Sequence, residues 1–440
     1  MIRSRRQETL GLLREYESQN ITYLPEDSAW PIVWERAKGM RIWDCDGKEY
    51  LDFSSAFGVA AAGHAPPAVI RAGKAQMARL PHAMGDVHPH PGKAHLAKRL
   101  SELTFGRWSR SQNFQSPYRA KVVFCNSGFE AVEVALKSVC QLSGRDRIVS
   151  FKGGYHGLGY GALVATDREY FRGRFGRQVG GFADSVRFPF VRANLERLRG
   201  ELIAALESRR VGGVLVEPIQ GRGGINVPPP GFLTLLRELC DQYEAFLILD
   251  EIYTGFGRTG TWFACEDEGV VPDFVCVGKA LAGGFPMAAC VGRSDLMDSA
   301  WPPSTGEAIH TSTYLGHPVG CAMALAQLEL IERRGLVERS ARMGTYFVTA
   351  LQRTFRDAGG CVRVRGRGLM IGVDFRNPEG GPDRRLSLAL IEALLGRGYI
   401  LLPDGEFGNV MGITPPLIVT QKQIDDFVRC LGHLYLALRT

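Results

Sequence analysis

Short apolar runs that alternate with helical segments begin near residue 120, and this alternation limits the possible folds more than any other feature. A strand that is apolar throughout is buried on both faces, which is typical of a mostly parallel sheet covered by helices. We therefore predict an α/β fold with a mostly parallel sheet. The predicted strands are 121–125, 147–151, 211–217, 245–250, 273–278 and 288–292. The helices predicted between them are 130–142, 194–208 and 231–243.

Both ends of the chain differ in pattern from this central region. Residues 40–53 alternate apolar and polar residues around an Asp-Gly pair, which predicts a β-hairpin. After residue 320, helical segments precede strand-like stretches at 362–375 and 409–420 and an amphipathic helix at 421–438. We predict a small α+β domain assembled from both chain ends. The predicted boundaries are 1–64 for its N-terminal part, 65–325 for the large domain and 326–440 for its C-terminal part.

Composition and charge argue against several classes of protein. The net charge is +7, but the basic residues are spread among acids without a basic tract, so no nucleic-acid partner is expected. No apolar run is long enough to cross a membrane, and no secretory signal is visible. The ten cysteines contain no C-x-x-C pair and indicate reduced thiols in a cytoplasmic protein. The histidines at 88, 90 and 95 lack a metal-ligand spacing, so no metal is predicted.

Two strand ends carry residues that could do chemistry, and such residues lie at the carboxyl ends of strands in open α/β sheets. The run 245–250 ends on Asp250, a carboxylate that is costly to bury without a cationic partner. The run 273–278 leads into Lys279, whose amine becomes a better nucleophile when burial lowers its pKa. Taken alone, each residue has an ordinary explanation as a loop-capping aspartate or a surface lysine.

Two earlier strand ends complete a pattern. Ser127, Gly128 and Phe129 join a strand to a helix, where backbone N–H groups and the helix dipole favour an anion. Tyr155 and His156 stand between glycines, which suits an aromatic face presented to a planar ligand. Each motif is weak by itself. In order along the chain, a phosphate cradle, an aromatic plate, a carboxylate and an amine are what pyridoxal 5'-phosphate (PLP) requires.

Several segments resemble the class III aminotransferases of PLP fold type I. The resemblance extends from about residue 30 to residue 430, and its most specific part is 249–286. It implies a PLP-dependent enzyme that moves an amino group from a small-molecule donor to an oxo acceptor, and a homodimer with shared sites. The resembling segments are NSGFEAVEVALK (126–137), GGYHG (153–157), VEPIQG (216–221), LDEIYTGFGRTG (249–260), PDFVCVGKALAGGFP (272–286) and TSTYLGHPVGCAMA (311–324).

The same resemblance implies roles for individual residues. Lys279 and Asp250 are the expected catalytic residues: Lys279 forms the aldimine with the cofactor and moves a proton, and Asp250 pairs with the pyridine nitrogen. Thr313 is expected to reach the phosphate of the neighbouring subunit, and Glu217 to lie near Asp250 or His156. The other expected cofactor-binding residues are Ser127, Gly128, Phe129, Tyr155, His156 and Tyr253.

Three positions depart from the family pattern. Tyr253 replaces a glutamine that contacts the phenolic oxygen of the cofactor, although a phenol can also donate a hydrogen bond there. Gly412 stands where amino-acid-specific members carry an arginine for the α-carboxylate. Arg222 stands where some relatives have a glutamate that masks that arginine. Both Arg222 and Gly412 are therefore predicted to contact the substrate.

These departures leave two readings of the substrate open. Arg222 could supply the carboxylate contact from a new direction. We favour a substrate without an α-carboxylate, such as an aminosugar or aminocyclitol of aminoglycoside antibiotic biosynthesis, with simple amines and diamines as the rival class. Alternative reactions with the same apparatus are those of an aminomutase, an epimerase or an elimination enzyme. A non-catalytic PLP-fold binding protein is the alternative from a different class, and the intact Lys279 and Asp250 argue against it.

Overall fold

The computed structural model describes residues 4–25, 30–111 and 119–439. Its strands are β1 (Trp34–Lys38), β2 (Arg41–Asp44), β3 (Glu49–Asp52), β4 (Ala120–Cys125), β5 (Arg147–Phe151), β6 (Ala183–Val186), β7 (Val211–Val216), β8 (Phe246–Asp250), β9 (Phe274–Val277), β10 (Ala288–Arg293), β11 (Val362–Arg367), β12 (Met370–Phe375), β13 (Tyr399–Ile400), β14 (Leu402–Asp404) and β15 (Val410–Ile413). Its helices are α1 (Arg5–Tyr16), α2 (Ser55–Gly58), α3 (Pro67–Arg79), α4 (Pro91–Leu103), α5 (Phe105–Ser111), α6 (Gly128–Ser143), α7 (Tyr160–Ala165), α8 (Glu169–Arg172), α9 (Asn194–Glu207), α10 (Phe232–Gln242), α11 (Ser294–Ala300), α12 (Pro318–Arg333), α13 (Leu336–Thr354), α14 (Arg384–Gly396) and α15 (Gln421–Leu438).

The central sheet has the strand order β4-β10-β9-β8-β7-β5-β6. The strands from β9 to β6 in that order pair in parallel, whereas β10 is antiparallel to both β9 and β4. All the strands predicted for this region are confirmed, and so is the mostly parallel sheet. The edge strand β6 was missed because its sequence, ADSV, is short and half polar.

Packing on both faces explains why these strands are apolar throughout. On β8, Leu247 and Leu249 belong to one buried cluster together with Leu236 of α10. The residue between them, Ile248, points the other way into a second cluster with Val132 of α6. Each such buried side chain contributes about 2 kcal/mol through the removal of apolar surface from water. In the described residues, no helix combines the length and apolar character needed to cross a membrane.

The two chain ends meet in a smaller sheet. The predicted hairpin is confirmed as β2 and β3, and β13 near the C-terminus adds in parallel to β3, with Tyr399 beside Leu51. A further antiparallel sheet has the order β11-β12-β15-β14. The strand predicted at 409–420 was too long, because β15 ends at Ile413 and the two following prolines lack the N–H that a ladder requires. The domain boundaries stay predictions.

A buried arginine connects these parts of the chain. Arg258 Nη1 donates to the carbonyl oxygens of Leu369 (3.0 Å) and Pro415 (2.6 Å), and its Nη2 donates to Ser55 Oγ (3.3 Å). Burial lowers the pKa of Arg258 to about 10, so the guanidinium is still charged at neutral pH. One side chain therefore links the segment after β8 to segments from both chain ends.

We predict that Arg258→Met destabilises the fold by about 2–5 kcal/mol, because it leaves two buried carbonyl oxygens without donors. Thermal unfolding followed by circular dichroism measures this loss as a lower midpoint. Arg334→Met, at an exposed position that follows α12, is the matched control and is expected to stay within about 0.5 kcal/mol of the parent. Equal midpoints for the two variants would contradict the role assigned to Arg258.

Candidate active site

The carboxyl ends of neighbouring strands surround a cavity of about 360 Å³. Because β4, β5, β7, β8 and β9 point the same way, the residues that follow them meet at one edge of the sheet. The cavity brings together predicted residues from each of these strand ends: Gly128, Phe129, Tyr155, His156, Glu217, Arg222, Asp250, Tyr253 and Lys279. Their placement follows from the strand order, and their individual roles stay predictions.

Lys279 supplies the amine of this site. It follows β9 directly and has a φ of 30°, a left-handed conformation that is strained for a residue with a side chain. Its Nζ lies 4.6 Å from the centre of the Tyr253 ring. Burial lowers the pKa of Lys279 against the opposing charges of Asp250 and Glu217, which increases the fraction of neutral, nucleophilic amine.

Asp250 is the buried carboxylate at the end of β8. Its Oδ2 lies 2.8 Å from His156 Nδ1, and its Oδ1 accepts the N–H of Ile252 at 3.1 Å. Burial alone would lower the pKa of His156, but the hydrogen bond and charge of Asp250 outweigh that effect and raise it. The hydrogen bond with His156 orients the Asp250 carboxylate, as a partner of a protonated pyridine nitrogen requires.

Glu217 orients the loop that presents Tyr155. Its two carboxylate oxygens accept the backbone N–H groups of Tyr155 and Gly221, each at 2.9 Å. Burial raises the pKa of Glu217 to about 7, and the nearby charges of His156 and Asp250 act on it in opposite directions. Glu217 therefore lies beside both residues near which the sequence predicted it.

The start of α6 forms the anion-binding end of the cavity. Ser127 is the residue before the helix, and its buried Oγ has no hydrogen-bond partner among the described residues. A methyl group at Gly128 would lie 2.9 Å from Ile252 Cδ1, so the position needs glycine. Phe129 packs against Gly157 and Gly159, where any side chain would overlap it. The two glycines therefore make room for the Phe129 side chain beside the start of α6.

These features fit PLP, a planar ring with a phosphate. The unpaired Ser127 Oγ and the helix start face the phosphate end, and the buried His156 Nε2 also lacks a partner in the described part of the chain. Asp250 and Lys279 suit the ring nitrogen and the carbonyl carbon of the cofactor.

The hydroxyl group of Tyr253 forms a hydrogen bond within the protein, to Thr414. The hydroxyl group of Thr414 donates to the Ser54 carbonyl oxygen, so the Tyr253 hydroxyl is the donor in its 3.1 Å contact with Thr414 Oγ1. The Tyr253 hydroxyl is therefore engaged with Thr414, and its contact with the cofactor stays a prediction. What Tyr253 presents to Lys279 is its ring, and burial raises the pKa of its hydroxyl to about 12.

Three predicted residues are not among those that line the cavity: Ser127, Thr313 and Gly412. Thr313 is exposed in a loop, next to Ser312, whose hydroxyl accepts a hydrogen bond from Asn126 Nδ2 at 3.3 Å. Its contact with a neighbouring subunit stays a prediction. Gly412 lies on β15, and a side chain there would overlap Oδ2 of Asp404 on the paired strand β14.

Sequence reasoning missed Asp404 and Arg168. The carboxylate of Asp404 is close enough to influence the pKa of Lys279, and Arg168 donates to the backbone oxygen of Arg222. Asp404 is followed by Gly405, and a residue before glycine is normally assigned to a turn. Its carboxylate was therefore not considered as part of the site. The pairing of 402–404 with 410–413 was the signal that could have placed Asp404 beside Gly412.

A mostly parallel α/β sheet with an amine, a buried carboxylate and an anion-binding helix start at its strand ends defines a PLP-dependent transferase. Comparison with known proteins agrees with this class. A sequence profile described as aminotransferase class-III matches residues 22–434. The acetylornithine aminotransferase of Methanosarcina mazei is 37% identical over 401 residues, which cover 91% of each chain. Ornithine aminotransferase 1 of Staphylococcus aureus is 32% identical over 96% of this chain and 98% of its own length.

Solved structures give the same result. The ornithine aminotransferase from Toxoplasma gondii superposes with a TM-score of 0.85 at 28% identity, covering 99% of this chain and 96% of that one. An amine transaminase from an uncultivated Pseudomonas species, in its PLP-bound form, has a TM-score of 0.84 at 28% identity, covering 96% and 99%. The chain belongs to the class III aminotransferases, and its cofactor is PLP.

We predict that Lys279→Ala abolishes covalent attachment of the cofactor and lowers kcat by about 10³-fold or more, because no other amine replaces its proton transfer. Borohydride reduction followed by intact mass measurement detects the attachment. Lys152→Ala removes a lysine that pairs with Asp167 at 3.1 Å near the end of β5 and is the control expected to retain both attachment and turnover. Retention of both by Lys279→Ala would contradict the site.

Proposed function

We propose that this aminotransferase takes its amino group from a carbon that carries no carboxylate, such as a terminal amine or an amine on a sugar or cyclitol ring, and passes it to a small oxo acid. The observation that carries this proposal is the contact between Gly412 and Asp404. A carboxylate group on the reacting carbon would find neither an arginine at 412 nor space for one, because Asp404 Oδ2 fills the position of a side chain there.

Several residues of the chain have separate roles at the reacting carbon. Bound PLP supplies a carbonyl group for the amine and an electron sink for the carbanion. Asp250, oriented by His156, keeps the ring nitrogen protonated, and the aromatic face of Tyr155 holds the ring plane. Lys279 would be the base that removes the proton from the substrate carbon and, once protonated, the acid that gives it back.

The acceptor half of the reaction needs a cationic group for the carboxylate of the oxo acid. Arg222 supplies it: its guanidinium carbon lies 5.4 Å from the centre of the Tyr155 ring, at the edge of the cavity. Arg168 adds a second positive charge nearby, and the repulsion between the two lowers the pKa of Arg168 in addition to the effect of burial. An anion between them would relieve that repulsion.

The named relatives bear on the choice of donor. They are called acetylornithine and ornithine aminotransferases, which are amino-acid enzymes and lend no support to an aminosugar donor. The aminosugar or aminocyclitol prediction therefore rests on Gly412 alone, and a terminal amine fits both Gly412 and the relatives. The homodimer with Thr313 at a shared site, the cytoplasmic location and the part in antibiotic biosynthesis likewise stay predictions.

We predict that Arg222→Met raises the KM for the oxo-acid acceptor by about 10–100-fold, because a charge-assisted hydrogen bond contributes about 1.5–3 kcal/mol. The amine half-reaction, measured separately as bleaching of the cofactor's visible band, is expected to change little. Arg177→Met, at an exposed position, is the matched control. A loss confined to the amine half-reaction would contradict this assignment, and absence of bleaching with every amine would overturn the proposed function.

A further inference from the structure

The backbone beside Asp404 is bonded to Arg222, which lines the catalytic cavity. It ends β14, which pairs with β15 so that Leu402 lies opposite Gly412. The next residue, Gly405, donates its N–H to the carbonyl oxygen of Arg222 at 3.1 Å. The missing side chain at Gly412 leaves the room that the carboxylate occupies. The end of β14 is thus fixed beside the turn that contains Arg222.

The carboxylate of Asp404 has no hydrogen bond and no ion pair with any residue in 4–25, 30–111 or 119–439. Burial raises its pKa to about 6, against the charges of Arg222, Arg168 and Lys279, so it is ionised at neutral pH. Asp404 is partly buried, and a charged carboxylate in such a place without a protein partner is solvated less fully than one at the surface. Such a group is therefore expected to meet its partner in a bound ligand.

Asp404 does not form an ion pair with Lys279. The two charges influence each other, yet no N···O distance of 4.0 Å or less joins them among the described residues. Arg222 likewise makes no ion pair in the same part of the chain, and its buried Nε has no hydrogen-bond partner there. The pair therefore offers one negative and one positive contact away from the reacting carbon.

The polarity of this pair is the reverse of the one described above for the family. The resemblance implies an arginine at the position of Gly412 and, in some relatives, a glutamate at the position of Arg222, whereas here the cation is Arg222 and the anion is Asp404. A reversed pair selects a different ligand, because a carboxylate attracts a cation where an arginine attracts an anion.

We propose that Asp404 is a specificity-determining residue that binds a second ammonium group of the amine donor. The donors that share this chemistry are linear diamines, diamino acids with a free second amino group, and aminocyclitols with more than one amino group. This inference rests on the proposed function, because it concerns the distal end of the same amine substrate. It excludes good turnover of donors whose second amino group is acetylated.

The test compares donors that differ only in the second charge. Initial rates with butane-1,4-diamine are compared with N-acetylbutane-1,4-diamine and 4-aminobutan-1-ol, and rates with ornithine are compared with N-acetylornithine. We expect the parent enzyme to prefer the doubly charged donor by about 10–100-fold in kcat/KM. Asp404→Asn should remove this preference through a higher KM for the charged donor, with an unchanged kcat/KM for the acetylated one. Initial rates with an aminocyclitol that has more than one amino group then show whether the enzyme prefers a ring donor or a linear one.

Two variants separate charge from structure. Gly412→Ala keeps the carboxylate but displaces it, because the methyl group overlaps Asp404 Oδ2, and it should cause the same loss of preference. Glu406→Gln removes an exposed acid two residues away and should keep the preference. An equal fall for charged and acetylated donors, or an effect limited to the oxo acid, would overturn the role of Asp404. A parent enzyme that turns over amines without any preference would overturn the inference but leave the proposed function intact.

Discussion

The active site depends on a buried amine and a buried carboxylate that lie together at one edge of the sheet. Lys279 and Asp250 end adjacent parallel strands, so the ladder between β8 and β9 sets their separation. His156 lies 2.8 Å from Asp250 and orients its carboxylate, and burial lowers the pKa of Lys279. Weaker apolar packing around these strands would let water reach both groups, and the lowering of the Lys279 pKa by burial would be lost.

Much of this arrangement could be predicted from the sequence. Continuous apolar runs specify strands that are covered on both faces, and the ends of such parallel strands must converge, which located Lys279, Asp250, Tyr155 and Ser127. Contacts between residues that are far apart in the sequence were harder to predict. The donor role of Tyr253 toward Thr414 depends on residues 161 positions apart, and the strand β6 has too little apolar character to be recognised. Hydropathy alone predicted a strand longer than β15, which ends before two prolines.

Asp404 shows most clearly what a single sequence conceals. A residue before glycine in a short hairpin is ordinarily a turn residue, and nothing in its local pattern indicates a catalytic cavity. Its function becomes visible only through the space left by Gly412 and the backbone bond from Gly405 to Arg222. The two family departures noticed in the sequence, at 222 and 412, are thus connected by a third residue. Together they reverse the charges that meet the distal end of the donor.

The most direct test of the account is the fate of nitrogen during turnover. A diamine labelled with ¹⁵N at its amino groups is incubated with the enzyme and 2-oxoglutarate, and the products are analysed by mass spectrometry. Transfer from the amine predicts one ¹⁵N atom in each glutamate molecule and an equal amount of the carbonyl product. Release of the label as ammonia, or full retention in an amine that has only exchanged its C–H hydrogen with solvent, would contradict an amine aminotransferase and indicate elimination or epimerisation.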